Sequence, residues 1–245
     1  MKQFRHLNLL RIQILLILFV VFNCENKKES HPRKSELLLL AVVSQQNKDP
    51  NDCKTHYKSL NSLYQDYYNV EFKNYPTTCQ NIIIGDSTMD LARTSSFYNT
   101  SLTYNYAVSG NTACDYLYQM EAIRCNPQNV IIATGDGNGV LKQLPSQTSI
   151  DTMKKVTLRV KEKWNANIVI IGIHPVLLSN ENLAKNPVNA GVSQLTSCYI
   201  DPLPIFGVGE NDPPNSAVML DSIHYNSTIY PLYKTQIENQ CGVFF

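Results

Sequence analysis

Several absences narrow what this chain can be. Its seven Cys and five His include no Cys-x-x-Cys and no His-x-x-x-His spacing, which excludes the common structural zinc patterns. Charge of one sign is also missing. Setting aside Lys2, Arg5 and Arg11 at the extreme N-terminus, 18 basic residues face 20 acidic ones. No basic face is expected, and nucleic acid is not an expected partner. The one pronounced apolar run, Ile12 to Phe22 with Gln13 inside it, is too short to span a bilayer comfortably. No internal repeat is visible, so solenoid and propeller architectures drop out. What remains, in 245 residues of ordinary hydrophobic content, suits one α/β domain with a short appendage.

The N-terminus reads as a targeting segment. A charged stretch to Arg11 is followed by the apolar run and then by Val21-Phe22-Asn23-Cys24. These are the n-region and h-region of a secretory signal. A Cys directly behind the run resembles a bacterial lipoprotein signal, in which Cys24 would be lipidated, become the first mature residue and hold the chain to a membrane. Phe22 and Asn23 are bulkier than the small residues usual there. We therefore expect a signal over residues 1–23, a lipidated Cys24 with a charged tether to Ser35, and a domain over residues 36–245. Within that domain, residues 36–80 read as a helical extension, with helices from Glu36 to about Gln46 and from Asp52 to about Tyr68. Excluding Cys24, six cysteines remain. An even set in an exported chain implies disulfides, in any of 15 connectivities. Cys114 with Cys125 is the favoured local pair, since both flank one short predicted helix.

From Asn81 onward, strand and helix alternate. Apolar strands are expected at Ile82–Ile84, Leu102–Val108, Val130–Thr134, Ile168–Ile173 and Ser197–Ile200. Helices are expected from Met89 to about Phe97, Thr112 to about Ile123, Ser149 to about Trp164 and Tyr230 to about Glu238. Two stretches, Ser179–Ser193 and Leu203–Leu220, read as long polar or irregular loops. Buried strands alternating with helices predict a three-layer α/β/α domain around a five-stranded parallel sheet.

In such a sheet, ligand and catalytic groups gather at the carboxyl ends of the strands. Three of those ends are polar or Gly-rich here: Gly85-Asp86-Ser87, Ser109-Gly110-Asn111 and Gly137-Asn138-Gly139. On their own, Asp86 and Ser87 serve equally well as helix caps. As chemistry, Ser87 could attack a carbonyl, while the Ser87 and Gly110 amides and the Asn138 side chain could hold the resulting oxyanion. A serine nucleophile needs a base. His6 lies in the signal, His31 in the tether and His56 in an N-terminal helix. His174 follows the fourth strand, beside Pro175. His224 sits in a loop with Asp221 three residues before it, where one turn could set carboxylate against imidazole.

Taken together, Gly85-Asp86-Ser87, Gly110, Asn138 and Asp221-x-x-His224 resemble, in order and spacing, the four blocks of the SGNH (GDSL-type) hydrolases. The resemblance runs from about Asn81 to the C-terminus and includes Tyr225-Asn226 behind the His. It implies a flavodoxin-like fold, with Ser87 as nucleophile, His224 as base, Asp221 as its carboxylate, and Gly110 and Asn138 as oxyanion donors. The expected reaction is hydrolysis of acyl or acetyl esters of lipids or glycans, without a metal or organic cofactor. The chain departs from the family pattern in two places. Thr88 stands where Leu is usual, and the third block, usually Gly-x-Asn-Asp, reads Gly135-Asp136-Gly137-Asn138-Gly139, with Gly139 in place of the Asp. That altered block motivates an alternative: a catalytically silent surface lipoprotein that keeps the fold and binds a partner through its long loops.

Overall fold

The computed structural model describes residues 68–69, 72–93, 98, 100–133 and 136–245. All of them lie in the unit Lys48–Phe245. The expected signal, tether and first helix fall outside the described residues. Of the second expected helix, only Tyr68 and Asn69 are described, and both are helical.

Five parallel strands form the sheet: β1 (Asn81–Gly85), β2 (Thr103–Asn105), β3 (Asn129–Ala133), β4 (Asn167–Ile171) and β5 (Cys198–Ile200), in the order β2-β1-β3-β4-β5. This is the doubly wound α/β arrangement that the alternating pattern predicts. Residue parity explains the three layers. Ile82 and Ile84 lie in register with Val130 and Ile132, and these with Ile168 and Ile170. All six enter the core on one face, beneath α2 (Ala113–Ala122), α4 (Ser146–Trp164) and α5 (Ser179–Val192). Ile83, Ile131 and Val169 point the other way, to Met89, Tyr230, Tyr233 and Ile237. Met89 belongs to the short α1 (Ser87–Asp90), and the other three to α7 (Tyr230–Cys241).

An amide ladder fixes the register at the amino ends of the strands. Asn167 Nδ2 donates to Asn129 Oδ1 at 3.1 Å, and Asn129 Nδ2 to Asn81 Oδ1 at 2.8 Å. Asn81 Nδ2 in turn donates to Thr103 Oγ1 at 3.0 Å. Since a one-residue slip would leave the buried Asn81 and Asn129 amides unpaired, the ladder opposes it.

Two expectations need correction. Cys114 does not pair with Cys125. Cys114 lies in the first turn of α2, and the rest of that helix runs between the two, a rise of roughly 12 Å at 1.5 Å per residue, well beyond the reach of a disulfide. Cys125 bonds Cys79 instead, with Cα atoms 5.8 Å apart, and Cys198 bonds Cys241; Cys114 is also disulfide-bonded. The polar stretch Ser179–Ser193 is not a loop but α5, with Pro187 inside it. Its apolar period is hidden because two of its inward residues are asparagines that replace strand partners. Asn182 bonds both the N–H and C=O of Val176, and Asn189 does the same for Ile173, at 2.7–2.9 Å. Beyond the third strand, the Gly-rich group opens into a short helix, α3 (Gly137–Leu141). The loop Leu203–Leu220 is irregular as expected, apart from α6 (Leu203–Phe206) and a 3-10 turn at Ser216–Val218.

Candidate active site

The first group is delivered by β1. Gly85 has to be glycine, because a Cβ there would lie 2.3 Å from the Ala133 carbonyl oxygen of the neighbouring strand. The chain then turns into α1. Asp86, buried, caps that helix by accepting from the Thr88 amide at 3.0 Å. This is the structural part that the sequence allows it, and it leaves the next side chain, Ser87, facing outward over the strand ends.

The Asp221–His224 segment closes over Ser87 from the C-terminal side. Asp221 Oδ1 accepts from the Ile223 and His224 amides, each at 2.7 Å, which winds the segment into a tight Asx-type turn. Oδ2 is then 2.8 Å from His224 Nδ1, and His224 Nε2 is 2.8 Å from Ser87 Oγ. A carboxylate only accepts, so Nδ1 carries the proton and Nε2 is free to accept from the Ser87 hydroxyl. Partial desolvation pushes Asp221 upward. The imidazole and the two amides outweigh it and hold the carboxylate down at about 2. Asp221 therefore stays ionised beside His224 across the ordinary pH range.

Two features of the turn were not legible as site residues. His174, in the segment after β4, is buried against Phe206 and Tyr225. Its Nε2 donates to the Ile223 carbonyl at 2.7 Å, so it supports the Asp221–His224 turn from beneath. Burial pushes its imidazole down to about 4, against the pull of the Ile223 carbonyl, so it is neutral there. Alongside, the Leu177 amide donates to the Ser222 carbonyl at 3.0 Å. The sequence had only the Ile173-His174-Pro175 context to offer, which speaks for a turn and not for a contact 49 residues away.

Opposite the imidazole lie the ends of β2 and β3. Beyond Asn105 the chain keeps bonding to β1, through Tyr106 N to Ile83 O at 2.8 Å and Val108 N to Gly85 O at 3.1 Å. This carries Ser109 and Gly110 level with Ser87. Asp90, on α1, accepts from both the Ser109 amide (2.8 Å) and its hydroxyl (2.5 Å), and pairs with Arg93 at 2.7 Å. Gly110 is left-handed, with φ +83° and no atom within 4 Å of where a Cβ would stand; its amide is unobstructed. Asn138, on α3, donates one Nδ2 hydrogen to the Asn111 carbonyl at 2.8 Å. Its second amide hydrogen is left for the space it shares with Ser87. That space is a cavity of about 30 Å³. Besides Ser87 and Asn138, its lining includes Val140, Ile173, His174 and Ile223 and the charged Glu181 and Lys185. The structure thus brings Ser87, His224 and Asp221 into one hydrogen-bonded line and sets Asn138 beside it.

No protein-family model and no curated protein matches the sequence. Solved structures do match in fold. A protein provisionally named a platelet activating factor, from Streptococcus pneumonia, superposes with a TM-score of 0.61 at 14% identity, over 82% of this chain and 98% of its own. A GDSL-like lipase from Bacteroides thetaiotaomicron gives 0.56 at 12%, over 71% and 95%. An acetylxylan esterase from Geobacillus stearothermophilus gives 0.54 at 16%, over 68% and 94%. The fold is therefore the flavodoxin-like fold of the GDSL-type hydrolases. At such identities the likeness extends to fold alone.

Proposed function

We propose that this chain is a serine esterase that works outside the cytoplasm. The observation that carries the reading is the unbroken line from Ser87 Oγ to His224 Nε2 and from His224 Nδ1 to Asp221, 2.8 Å at each step. A serine hydroxyl is a weak nucleophile until a base removes its proton, and this line supplies base and orienter together.

As the ester carbonyl reaches Ser87, Oγ attacks the carbonyl carbon and its proton passes to His224 Nε2. Asp221 stabilises the imidazolium and keeps the ring oriented. The new oxyanion accepts hydrogen bonds from the Ser87 and Gly110 amides and the second hydrogen of Asn138 Nδ2. Collapse expels the alcohol, which takes its proton from His224 Nε2. Water then attacks the acyl-enzyme by the same route, with His224 as base, and releases the acid and free Ser87. Atoms and protons balance without a metal or organic cofactor. The small cavity beside Ser87 supports a short acyl group.

Disulfides at Cys79–Cys125 and Cys198–Cys241 support an oxidising compartment. Among the described residues no helix is long and apolar enough to cross a membrane. We assign membrane attachment to a lipid on Cys24, outside the described residues.

The decisive comparison is Ser87→Ala against the unaltered chain, on p-nitrophenyl acetate and with a fluorophosphonate probe. Turnover and covalent labelling should both disappear while the circular dichroism spectrum is unchanged. Turnover retained in the variant would end this mechanism. An unlabelled Ser87 in the native chain would favour the binding-module reading.

A further inference from the structure

Asp136 has no place in the reaction above, yet it is placed at some cost. It is buried, it adopts a left-handed backbone at φ +89°, and among the described residues no cation pairs with it. A non-glycine residue rarely accepts that conformation, and an ionised carboxylate without a partner is expensive to bury. Burial drives its pKa up to about 6, against the Ser149 hydroxyl and the Ala113 and Gly139 amides, with Asp115 adding to the rise.

The geometry shows what this carboxylate holds. Oδ1 accepts from the Gly139 amide at 3.2 Å, in the first turn of α3, and from the Ala113 amide at 2.9 Å, at the start of α2. Both N–H groups are helix-start donors with no partner inside their own helix. One lies next to Asn138, and the other three residues beyond Gly110. One oxygen thus joins the two turns that carry the oxyanion donors. The Asn138 side chain adds a second link through the Asn111 carbonyl. Gly139 completes the arrangement by having no side chain: a Cβ there would sit 2.1 Å from Asp136 Oδ2 and 2.7 Å from Oδ1. The carboxylate occupies the space that residue 139 would otherwise fill. The departure at position 139 and the unusual Asp136 are thereby two halves of one fitting.

We propose that Asp136 is a positioning residue for the oxyanion hole, its buried carboxylate clamping the Gly110 turn to the Asn138 helix. The catalytic consequence rests on the esterase reading; the clamp itself does not. Asp136→Ala should lower kcat on p-nitrophenyl acetate about 100-fold, the scale of losing an oxyanion donor, with KM changed less than threefold. Ser87 labelling by a fluorophosphonate, whose phosphoryl oxygen uses the same donors, should slow in parallel. Asp136→Asn, which keeps one acceptor oxygen, should lose about tenfold. Gly139→Ala, which drives the carboxylate off its amides while leaving it in the chain, should resemble Asp136→Ala. These two variants decide the matter if Asp136→Ala does not fold. Wild-type kcat in a folded Asp136→Ala or Gly139→Ala chain, or a loss carried by KM alone, overturns the proposal. Amide hydrogen exchange is read on the same proteins. Ala113 and Gly139 should exchange at least tenfold faster in Asp136→Ala, while the amides of β3 are unchanged. Unchanged exchange at Ala113 overturns the clamp. An inactive native chain with faster exchange in the variant would instead count against the esterase reading.

Discussion

The two sides of the site are built by opposite means. On the proposed oxyanion side, Gly110 follows the edge strand β2 and Asn138 the inner strand β3, and a wholly buried carboxylate on Asp136 lies between their turns. On the base side, Asp221 and His224 ride an irregular loop whose carboxylate is half exposed. That loop is held chiefly by backbone bonds and by one buried neutral imidazole, His174. On the proposed oxyanion side the donors themselves reach the surface, Gly110 exposed and Asn138 half-buried, but the carboxylate behind them is packed into the fold. On the proposed base side the Asp221 carboxylate is left near water. A group that only braces its neighbours can be buried, whereas a proton carrier needs correct aim and tautomer.

The sharpest way to break this comparison is to remove its chemistry on the exposed side. His224→Ala should cost about three orders of magnitude or more in kcat, since base and nucleophile act as a unit. Asp221→Asn should cost less, about 100-fold, because the Ile223 and His224 amides still shape the turn and solvent screens the lost charge. Equal losses in the two variants, measured on p-nitrophenyl acetate, would mean that the carboxylate does more than orient. A smaller effect concerns the cavity between the two sides. On aryl esters of increasing acyl length, kcat/KM should fall at least tenfold from acetate to octanoate, and a rise with length would place the acyl group elsewhere.

The smallest effect separates the two sides by sign. Asp136 has a folded pKa raised to about 6, so the folded chain holds its proton more tightly. Its stabilising effect is complete below about pH 4 and is lost as pH rises to about 6. His174 has a folded pKa lowered to about 4. The unfolded chain binds that proton more tightly, so stability is gained as pH rises from about 4 to 6.5. The two slopes oppose each other in the native chain. Asp136→Asn should expose the rising slope and His174→Phe the falling one, read from urea midpoints between pH 4 and 6.5. The same slope in both variants would refute the assignment.

The sheet was legible because its strands are buried on both faces and read as unbroken Ile and Val runs between Asn and Gly. Ser87, His224 and Asp221 were picked out by the resemblance of their blocks to the SGNH pattern, and the structure brings the three side chains together. What escaped shares one physical cause. The α5 helix, Asp136 and His174 all use polar groups facing inward, each satisfied by backbone from a distant part of the chain. Hydropathy periodicity registers apolar burial alone and passes over such positions. The cysteine pairing escaped for a related reason: proximity along the chain favoured Cys114 and Cys125, while the rise of the helix between them carried the two apart.

One covalent bond bears on how the base side endures. Cys198 and Cys241 enclose in a single ring the whole segment between β5 and the last turn of α7, including Asp221 and His224. The exposed stretch 209–213 is the natural place for a protease to cut. A single cut there opens the ring without releasing anything, because both new ends remain tethered to the same domain. Asp221 and His224 would then be presented by a nicked but undivided chain, a form of durability against proteolysis.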